Sequence, residues 1–531
     1  MTGVFLTVLL AAIVALALVA KTLRIPYPIV FVVGGLVLAL IPGVPTVTLA
    51  PETVFLLFLP MLIFGDGWTT DYHAFKRFYQ PIFMLAIGLV AFTSIVVAYV
   101  AHWMMGFPLA LGFVLGAILS PTDAVATDAI AEEVGLPRTL LTIISGESLV
   151  NDATGLVIYR FAVIAVATGA FSLLAATLTF VYVVVGGVAA GLAIGWAITK
   201  IAMAIRRAGL SDQLIAVSIS LVTPFALYVP AEAIHASGVL AAMSGGIYMS
   251  RKSTQIFDAD ARIAAASVWN LLFFVFNGAA FVLIGLQLRS IVHGLAGYSL
   301  ATLIGWSLVI AVVVVVVRYV WMFPAAYGRR RLFPKIRERE GPDPPWQWIF
   351  VLSTAGMRGI VSLAAALALP VTVAGGAPFP QRDLILFVTF VVILVTLVGE
   401  GLAMPWLIRR WEIRDSDDNG KAVAVVRVRI AEAVRDHLRT LEASFSTTAE
   451  WEVAGRLHAD YEQRMAHFSA HAEGVEPLDD ALQHDIERRL RREAYDAERR
   501  TLLALRRSGD ITDDVYRNLE WDLDLAESRL E

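Results

Sequence analysis

Three carboxylates lie inside apolar segments that are otherwise suited to spanning a membrane. Asp123 directly follows the triplet Ser-Pro-Thr, and Glu147 and Asp152 lie in the next apolar segment, all within 30 residues. A charged side chain at the centre of a bilayer costs roughly 2.5–3.5 kcal/mol on insertion scales. Membrane-spanning segments contain such groups where ions or protons are handled, so the sequence predicts a protein that moves a cation.

The composition indicates many membrane spans. Of the 531 residues 58% are hydrophobic and the mean hydropathy is +0.70, whereas average protein chains are about 45–50% apolar. The absence of cysteine excludes disulfides, thiolate metal sites and cysteine nucleophiles. The sequence contains neither a Walker-type phosphate loop nor a zinc-protease motif. We therefore predict a protein that is not an enzyme, with no cofactor and no nucleic-acid partner.

A bilayer core of about 30 Å needs about 20 apolar residues per helix. This criterion predicts an all-α membrane protein with thirteen spans and short third and ninth spans. The spans lie near residues 4–21, 26–43, 51–66, 80–104, 107–130, 137–168, 171–204, 212–230, 236–250, 265–288, 296–325, 347–370 and 384–408.

The loop charges predict the orientation. The loops after the odd-numbered spans contain 17 lysines and arginines, whereas the opposite set contains only Arg289 and Arg382. Basic residues mark the cytoplasmic side, so we expect an inner-membrane protein with its N-terminus outside and its C-terminus in the cytoplasm. The basic run Arg329, Arg330 and Arg331 is an inside anchor that could also contact anionic lipid.

The chain is predicted to have two domains. Residues 1–410 form the membrane part with a net charge of +6, and residues 411–531 carry a net charge of −10. Segments Ala422–Phe445 and Asp480–Arg507 have the apolar spacing of amphipathic helices. We expect a helical cytoplasmic tail, which serves either as a solvated appendage or in regulation.

Pro121 should interrupt the fifth span. Proline lacks a backbone donor, and it also disfavours the helical conformation at Ser120. Irregular backbone at membrane depth occurs where it is buried in protein or lines a cavity. A broken helix beside Thr122 and Asp123 is therefore predicted to form part of a cation site, as in other secondary transporters.

The sixth span supplies the second part of this predicted site. Residues three and four apart share a helix face, which gives a polar stripe of Ser148, Asn151, Asp152, Gly155 and Tyr159 with Glu147 at its edge. Carboxylate and hydroxyl oxygens suit a hard cation such as Na⁺. Asp152 can also take a proton, so competition for this one group would couple the two fluxes.

The twelfth span contains an arginine between two glycines. Arg358 cannot lose its proton and needs a buried partner. We predict a structural ion pair with Glu147, because Asp123 and Asp152 must be able to exchange protons. The fifth and twelfth spans are seven spans apart, so inverted repeats of spans 1–6 and 8–13 would place the two interrupted helices at matching positions.

Other charged residues have open interpretations. Asp66 either lines the inner approach and helps to coordinate the ion, or lies at the membrane interface as a helix-end residue. Glu232 is either an entrance charge or part of the outer interface. Arg160, Arg318 and Glu400 are assigned to helix ends, where they reach the interface or form pairs.

Four motifs resemble the monovalent cation:proton antiporter-1 family, which includes bacterial sodium/proton antiporters and animal sodium/proton exchangers. They are Leu-Ser-Pro-Thr-Asp-Ala at 119–124, Gly-Glu-Ser-Leu-Val-Asn-Asp at 146–152, Phe-Val-Leu-Ile-Gly-Leu-Gln at 281–287 and Gly-Met-Arg-Gly at 356–359. The resemblance covers nearly all of residues 1–410 and none of the tail. It implies a homodimer with thirteen spans, a core domain of inverted repeats beside a dimerisation domain, and elevator-like alternating access.

The resemblance also implies roles for individual residues. Asp152 is the group that binds the ion and exchanges the proton, with Na⁺ held at Asp152, Ser148 and Thr122 and the site shaped further by Asp123 and Asn151. The Asn-Asp pair at 151–152 resembles the electroneutral members, which implies one cation per proton. Many members have an acid at the position of Gly65, but here it falls on Asp66, about 100° around the helix.

The sequence therefore predicts exchange of Na⁺, or of K⁺ or Li⁺, for H⁺. A K⁺-selective antiporter is the first alternative, because the site residues discriminate poorly between the two ions. A cation channel is the second, although no pore loop or ring of charges is visible in the sequence. A sensor regulated through the acidic tail is the third.

Overall fold

Long apolar runs with few turn residues favour helices, and the computed structural model is built of helices. It describes residues 2–42, 54–123, 126–130, 135–169, 173–210, 212–293, 295, 298–332, 343–373, 376–413, 418–442, 445–473, 478–508 and 513–528. Within these residues, β-type pairing is limited to an isolated bridge between Thr372 and Pro378. The chain divides into two compact units, Met1–Arg414 and Asp415–Glu531.

The first unit contains eighteen helices that the structure describes completely. In chain order they are α1 Thr2–Leu23, α2 Tyr27–Leu40, α3 Leu59–Thr69, α4 Tyr72–Arg77, α5 Tyr79–Met105, α6 Leu109–Leu119, α7 Arg138–Thr168, α8 Leu173–Arg207, α9 Gln213–Ala233, α10 Gly238–Ser250, α11 Ser253–Ile256, α12 Ala259–Leu286, α13 Leu288–His293, α14 Leu300–Phe323, α15 Arg329–Leu332, α16 Trp346–Thr354, α17 Ile360–Leu367 and α18 Arg382–Arg410. Short π-helical turns precede α3, lie within α5 and follow α14.

The local sequence explains where many of these helices begin. Four of them start directly after a proline, which has no backbone donor to leave unsatisfied in a first turn. Five others start after a Ser or Asp whose side chain accepts a backbone N–H of the first turn. Each of these caps satisfies part of the set of N–H groups that a helix start leaves without an intrahelical partner.

Eight of the described helices are long and apolar enough to cross a membrane, namely α1, α5, α7, α8, α9, α12, α14 and α18. Shorter apolar helices form at α2, α6, α10 and Leu56–Thr69. The third and ninth spans, which are short in the sequence, fall on two of these. The all-helical membrane architecture predicted from the sequence is confirmed, whereas the number of thirteen spans and the inverted repeats stay predictions.

Two helices are interrupted, and their breaks touch each other. Helix α6 ends at Leu119, residues 120–123 are not helical, and residues 126–130 are helical again. Residues 355–359 separate α16 from α17 in the same way. The N–H of Asp123 donates to the carbonyl of Met357 at 2.7 Å, which joins the two breaks directly. The interruptions predicted in spans 5 and 12 are thus present, and each one supplies backbone groups to the other.

The second unit is also helical in the part that the structure describes. It contains α19 Asp418–Glu442, α20 Thr448–Glu473, α21 Leu478–Ser508 and α22 Asp513–Ser528. Helix α19 packs against α20 and α21 packs against α22. The two amphipathic helices expected from the sequence correspond to α19 and α21, while α20 and α22 were not predicted.

Candidate functional site

Thr122 links the first break to helix α7. Its hydroxyl accepts a hydrogen bond from the side-chain amide of Asn151 at 2.8 Å. The same oxygen lies 3.4 Å from the hydroxyl of Ser148 and 3.4 Å from a carboxylate oxygen of Glu147. All four side chains are buried. The residues predicted for the site from two separate motifs are therefore in contact in the fold.

A small cavity lies beside these contacts. Its volume is about 30 Å³, and the polar side chains that line it are Asp66, Asp123, Ser148 and Asp152. A cavity needs roughly 10–15 Å³ of such space to hold one water molecule, so a small cation or water fits. One carboxylate oxygen of Asp152 is buried and has no hydrogen-bond partner among the described residues. Such an orphaned acceptor beside a polar cavity is suited to a cation or a proton.

Two glycines allow the close approach of the elements around the cavity. A Cβ at Gly359 would collide with the carboxylate of Asp123 and would lie only 2.8 Å from the Cβ of Asp123. A Cβ at Gly155 would lie 3.1 Å from the Cδ of Pro121 and closer still to its Cγ. Only glycine therefore lets α7 and the second break pack against the first break.

Glu147 forms an ion pair, but its partner is Arg318 and not the predicted Arg358. Glu147 forms a two-armed pair with Arg318 of α14, in which Nη1 donates to Oε1 and Nη2 donates to Oε2 at 2.8 Å. Arg318 also donates to the carbonyl of Leu352 at 3.0 Å. The side chains of both partners are at most 2% exposed. The fork geometry of two parallel hydrogen bonds explains why a buried carboxylate takes this guanidinium.

Arg358 instead serves the backbone of the two breaks. Its Nε donates to the carbonyl of Leu119 at 3.0 Å, and Nη1 donates to the carbonyl of Gly356. Leu119 is the last residue of α6, and the N–H of Asp123, which would be its helical partner, donates to Met357 instead. Arg358 is thus a cap for the interrupted helix rather than the counter-ion of Glu147.

Three functional candidates were missed or misplaced by the sequence reasoning. Arg318 and Glu400 were assigned to helix ends, but both are buried, at 1% and 7% exposure. Asp128 was not considered, and its carboxylate accepts a hydrogen bond from Ser145 at 3.1 Å and its charge acts on Asp66. Asp128 could have been recognised in the sequence, because it is a second acid five residues after Asp123 in the same apolar segment.

A second, larger cavity opens next to the small one. It has a volume of about 690 Å³, and its lining includes Ala153, the neighbour of Asp152. Arg160 and Glu232 form an ion pair of 2.9 Å on its wall, with side-chain exposures of 44% and 29%. In this pair, Oε2 of Glu232 accepts a hydrogen bond from Arg160, while Oε1 accepts the N–H of Gly238. Glu232 is thus both a charge at an opening and a helix cap.

The family model for the transmembrane sodium/hydrogen exchanger matches residues 8–410, three quarters of the chain. The chain belongs to the sodium/hydrogen exchanger family. It is accordingly a multi-pass membrane protein of a transporter family, and the motifs that suggested this family all lie within the matched residues.

Individual relatives support this family membership. The chain is 34% identical over 447 residues to a sodium, potassium, lithium and rubidium/H⁺ antiporter of Bacillus pumilus, which covers 82% of this chain and 65% of the relative. It is 32% identical to an uncharacterized Na⁺/H⁺ exchanger of Mycobacterium bovis, with 99% of this chain and 96% of the relative covered. The chain thus spans less than two thirds of the Bacillus pumilus protein and nearly all of the mycobacterial one.

A solved structure shows the same fold. The sodium proton antiporter MjNhaP1 of Methanocaldococcus jannaschii at pH 8 superposes with a TM-score of 0.59 at 18% identity, and it covers 76% of this chain and 97% of that one. The described membrane helices therefore have the arrangement of an antiporter fold.

Proposed function

We propose that this protein exchanges Na⁺ for H⁺ across the membrane by alternating access, with Asp152 as the group for which the two ions compete. The observation that carries the proposal is the small cavity lined by Asp123, Ser148 and Asp152 at the meeting point of two interrupted helices. An orphaned carboxylate oxygen of Asp152 borders this cavity. Thr122 and Asn151 are hydrogen-bonded to each other beside Ser148, which lines the cavity.

The coupling follows from electrostatics. An ionised Asp152 in an apolar surrounding is costly, so a conformational change that carries it past lipid-facing helices is favourable only when a cation or a proton neutralises it. Because Asn151 is an amide that already donates to Thr122, Asp152 is the single acid of that pair. This arrangement supports one cation per proton and an electroneutral cycle.

The transported cation includes K⁺ and Li⁺ as well as Na⁺ in this proposal. The support is the printed description of the Bacillus pumilus relative, which names sodium, potassium, lithium and rubidium. The ligands that we propose for the cation are oxygens of Asp152, Ser148 and Thr122. Asp66 borders the same cavity and is proposed to help in coordination or access.

The setting of the exchanger is also a proposal. The charge alternation of the loops supports an inner-membrane location with an outer N-terminus and a cytoplasmic C-terminus. We propose a homodimer, with residues 1–410 as the antiporter domain and 411–531 as a cytoplasmic and regulatory tail. The basic run at 329–331 is proposed to contact anionic lipid. Lys335, Arg337 and Arg339 of the same loop lie outside the described residues.

Exchange in everted membrane vesicles tests the proposal. A dye that reports the pH gradient should respond to Na⁺, Li⁺ or K⁺ with the unchanged chain, and Asp152→Asn should abolish the response and cation binding together. Asp383→Asn removes the same charge at an exposed position and serves as the matched control. A normal exchange rate in Asp152→Asn would contradict the mechanism, and the ranking of the ions gives the selectivity.

A further inference from the structure

Glu400 is a buried carboxylate that the exchange mechanism does not use. It lies on α18 with 7% exposure, and neither of its carboxylate oxygens has a hydrogen-bond partner among the described residues. Its charge interacts with the charges of Arg358 and Arg318. A buried ion without hydrogen bonds is unfavourable, and these two guanidinium groups offset part of that cost.

The two guanidinium groups are in different situations. Arg318 is already matched by the two-armed pair with Glu147. The guanidinium of Arg358 donates only to neutral carbonyl oxygens in its described hydrogen bonds, those of Leu119 and Gly356, and these bonds do not balance its charge. Of the acids whose charge acts on Arg358, Glu400 acts more strongly than Glu147. Glu400 is therefore the remaining match for Arg358.

The part of α18 around Glu400 contacts both interrupted helices. Thr396 precedes Glu400 by one turn, and its hydroxyl accepts the backbone N–H of Arg358 at 3.3 Å. At the residue after Glu400, a Cβ on Gly401 would lie 3.0 Å from Ile29 of α2 and 3.4 Å from Ile130, in the helical residues 126–130. The carboxylate of Glu400 is thus held on the element that packs behind the crossing.

Arg358 in turn is fixed beside the cation site. Its neighbour Met357 accepts the N–H of Asp123, and its other neighbour Gly359 lies against the carboxylate of Asp123. A positive charge at Arg358 that nothing balances would oppose a cation in the cavity next to Asp123. The affinity of the site therefore depends on a counter-charge behind the crossing.

We propose that Glu400 is the counter-charge of Arg358 and acts as a positioning residue for the cation site, an inference that rests on the exchange function proposed above. Glu400 does not contact the transported ion. It neutralises the arginine that caps α6 and so keeps the crossing compact and the cavity attractive to cations.

Kinetics of exchange provide the first test. In everted vesicles, Glu400→Gln should raise the Na⁺ concentration for half-maximal exchange by about tenfold, because one unbalanced charge now opposes the cation, while the maximal rate changes less. Glu400→Asp keeps the charge and should restore most of the affinity. Glu412→Gln removes an exposed charge just past the end of the same helix and should leave exchange unchanged. An unaltered half-maximal Na⁺ concentration in Glu400→Gln would overturn the proposal.

A thermodynamic cycle tests the pair even if a variant does not transport. The melting temperature of the full-length protein, purified in detergent, is compared for the unchanged chain, Glu400→Gln, Arg358→Gln and the double variant. If the two charges balance each other, the melting temperature of the double variant should fall by less than the sum of the decreases in the two single variants. Additive losses would refute the pairing.

The two readouts also separate this inference from the exchange proposal. If the unchanged chain shows no cation-dependent exchange with any ion, the proposed function fails, while a non-additive cycle still supports the pair. If exchange is normal but the cycle is additive and the affinity is unaltered, only the role of Glu400 is wrong.

Discussion

Glu147 and Arg318 form a buried ion pair in which each charge depends on the other. Both side chains are at most 2% exposed, and the guanidinium also donates to the carbonyl of Leu352. Breaking such a pair leaves a charge buried and uncompensated, which typically costs about 3–5 kcal/mol. This cost applies to Arg318, because Arg358 has no hydrogen bond to Glu147.

Replacing Arg318 is therefore predicted to destabilise the membrane domain strongly. Arg318→Ala should lower the melting temperature and the yield of folded protein in detergent, consistent with a loss of about 3–5 kcal/mol. Arg410→Ala, at an exposed position near the end of α18, should change stability by less than about 0.5 kcal/mol. Equal melting temperatures for Arg318→Ala and the unchanged chain would mean that the pair contributes nothing to stability.

The position of Arg318 in its helix explains why the sequence predicted Arg358 as the partner of Glu147. The sequence reasoning placed Arg318 near the end of the eleventh span, but the helical path continues beyond Phe323 through the π-helical turn Pro324–Gly328. Arg318 therefore lies inside this helical path, where its guanidinium binds Glu147. The choice between Arg318 and Arg358 depends on which guanidinium presents its fork to Glu147, and spacing in the sequence does not contain that information.

At the scale of elements, the crossing of the interrupted helices depends on Gly359. A side chain there would meet the carboxylate of Asp123, whose position is also fixed by the bond from its N–H to Met357. Inserting a methyl group into such a packed site costs about 1–3 kcal/mol. The strain would fall on the residues that line the cavity.

Gly359→Ala is accordingly predicted to impair exchange more than stability. Vesicle assays should show a large loss of cation-dependent exchange, and melting should show a loss of about 1–3 kcal/mol. Gly305→Ala is the matched control, since no atom lies within 4 Å of a Cβ at that position on α14. Normal exchange by Gly359→Ala would show that the crossing tolerates displacement of Asp123.

A second prediction at this scale concerns the start of α20. Glu450 accepts the backbone N–H groups of Ser446 and Thr447, and these bonds hold the pKa of Glu450 below its ordinary value of 4.5. The hydroxyl of Thr447 in turn accepts the N–H of Glu450, which completes a capping box. A lowered pKa means that the cap is fully formed above pH 4.5 and is lost as the pH falls further.

Glu450→Gln should therefore loosen the first turn of α20 near neutral pH. Hydrogen exchange of the peptide covering residues 445–455 in the full-length protein should be several times faster in this variant. Glu452→Gln changes an exposed acid in the same turn and should not alter the exchange of this peptide. Lowering the pH below 4.5 should reproduce the effect in the unchanged chain, after correction for the intrinsic exchange rate.

At the scale of the whole molecule, the chain divides into two compact units, Met1–Arg414 and Asp415–Glu531. All residues of the candidate site lie in the first unit, and the match to the exchanger family ends at residue 410. The second unit consists of helix pairs of its own, joined by contacts such as the 3.0 Å bond from Arg499 to Glu527. The residues proposed for exchange therefore all belong to the first unit.

A chain that ends at Arg414 is predicted to retain cation-dependent exchange. Vesicles with matched amounts of the short and the full-length chain should respond to the same ions, and any change in pH dependence would measure regulation by the tail. Asp152→Asn in the short chain should again abolish the response. Loss of exchange in a short chain that inserts normally would assign the tail an essential role.

The sequence by itself determined the membrane class, most of the helices and the polar residues that line the small cavity. Apolar runs of sufficient length fold as helices in a bilayer whatever their neighbours are, and Pro121 interrupts its helix because it lacks a donor. The helical stripe of Ser148, Asn151 and Asp152 likewise follows from the period of 3.6 residues alone. These properties are local, so the order of residues is sufficient.

Only the tertiary structure decided which charges meet. The pair of Glu147 and Arg318 joins residues 171 positions apart. The cap of Leu119 by Arg358 joins residues 239 positions apart. Buried charges choose partners by distance and hydrogen-bond geometry in a low-dielectric interior. That geometry arises only when α7, α14 and α18 pack around the two breaks.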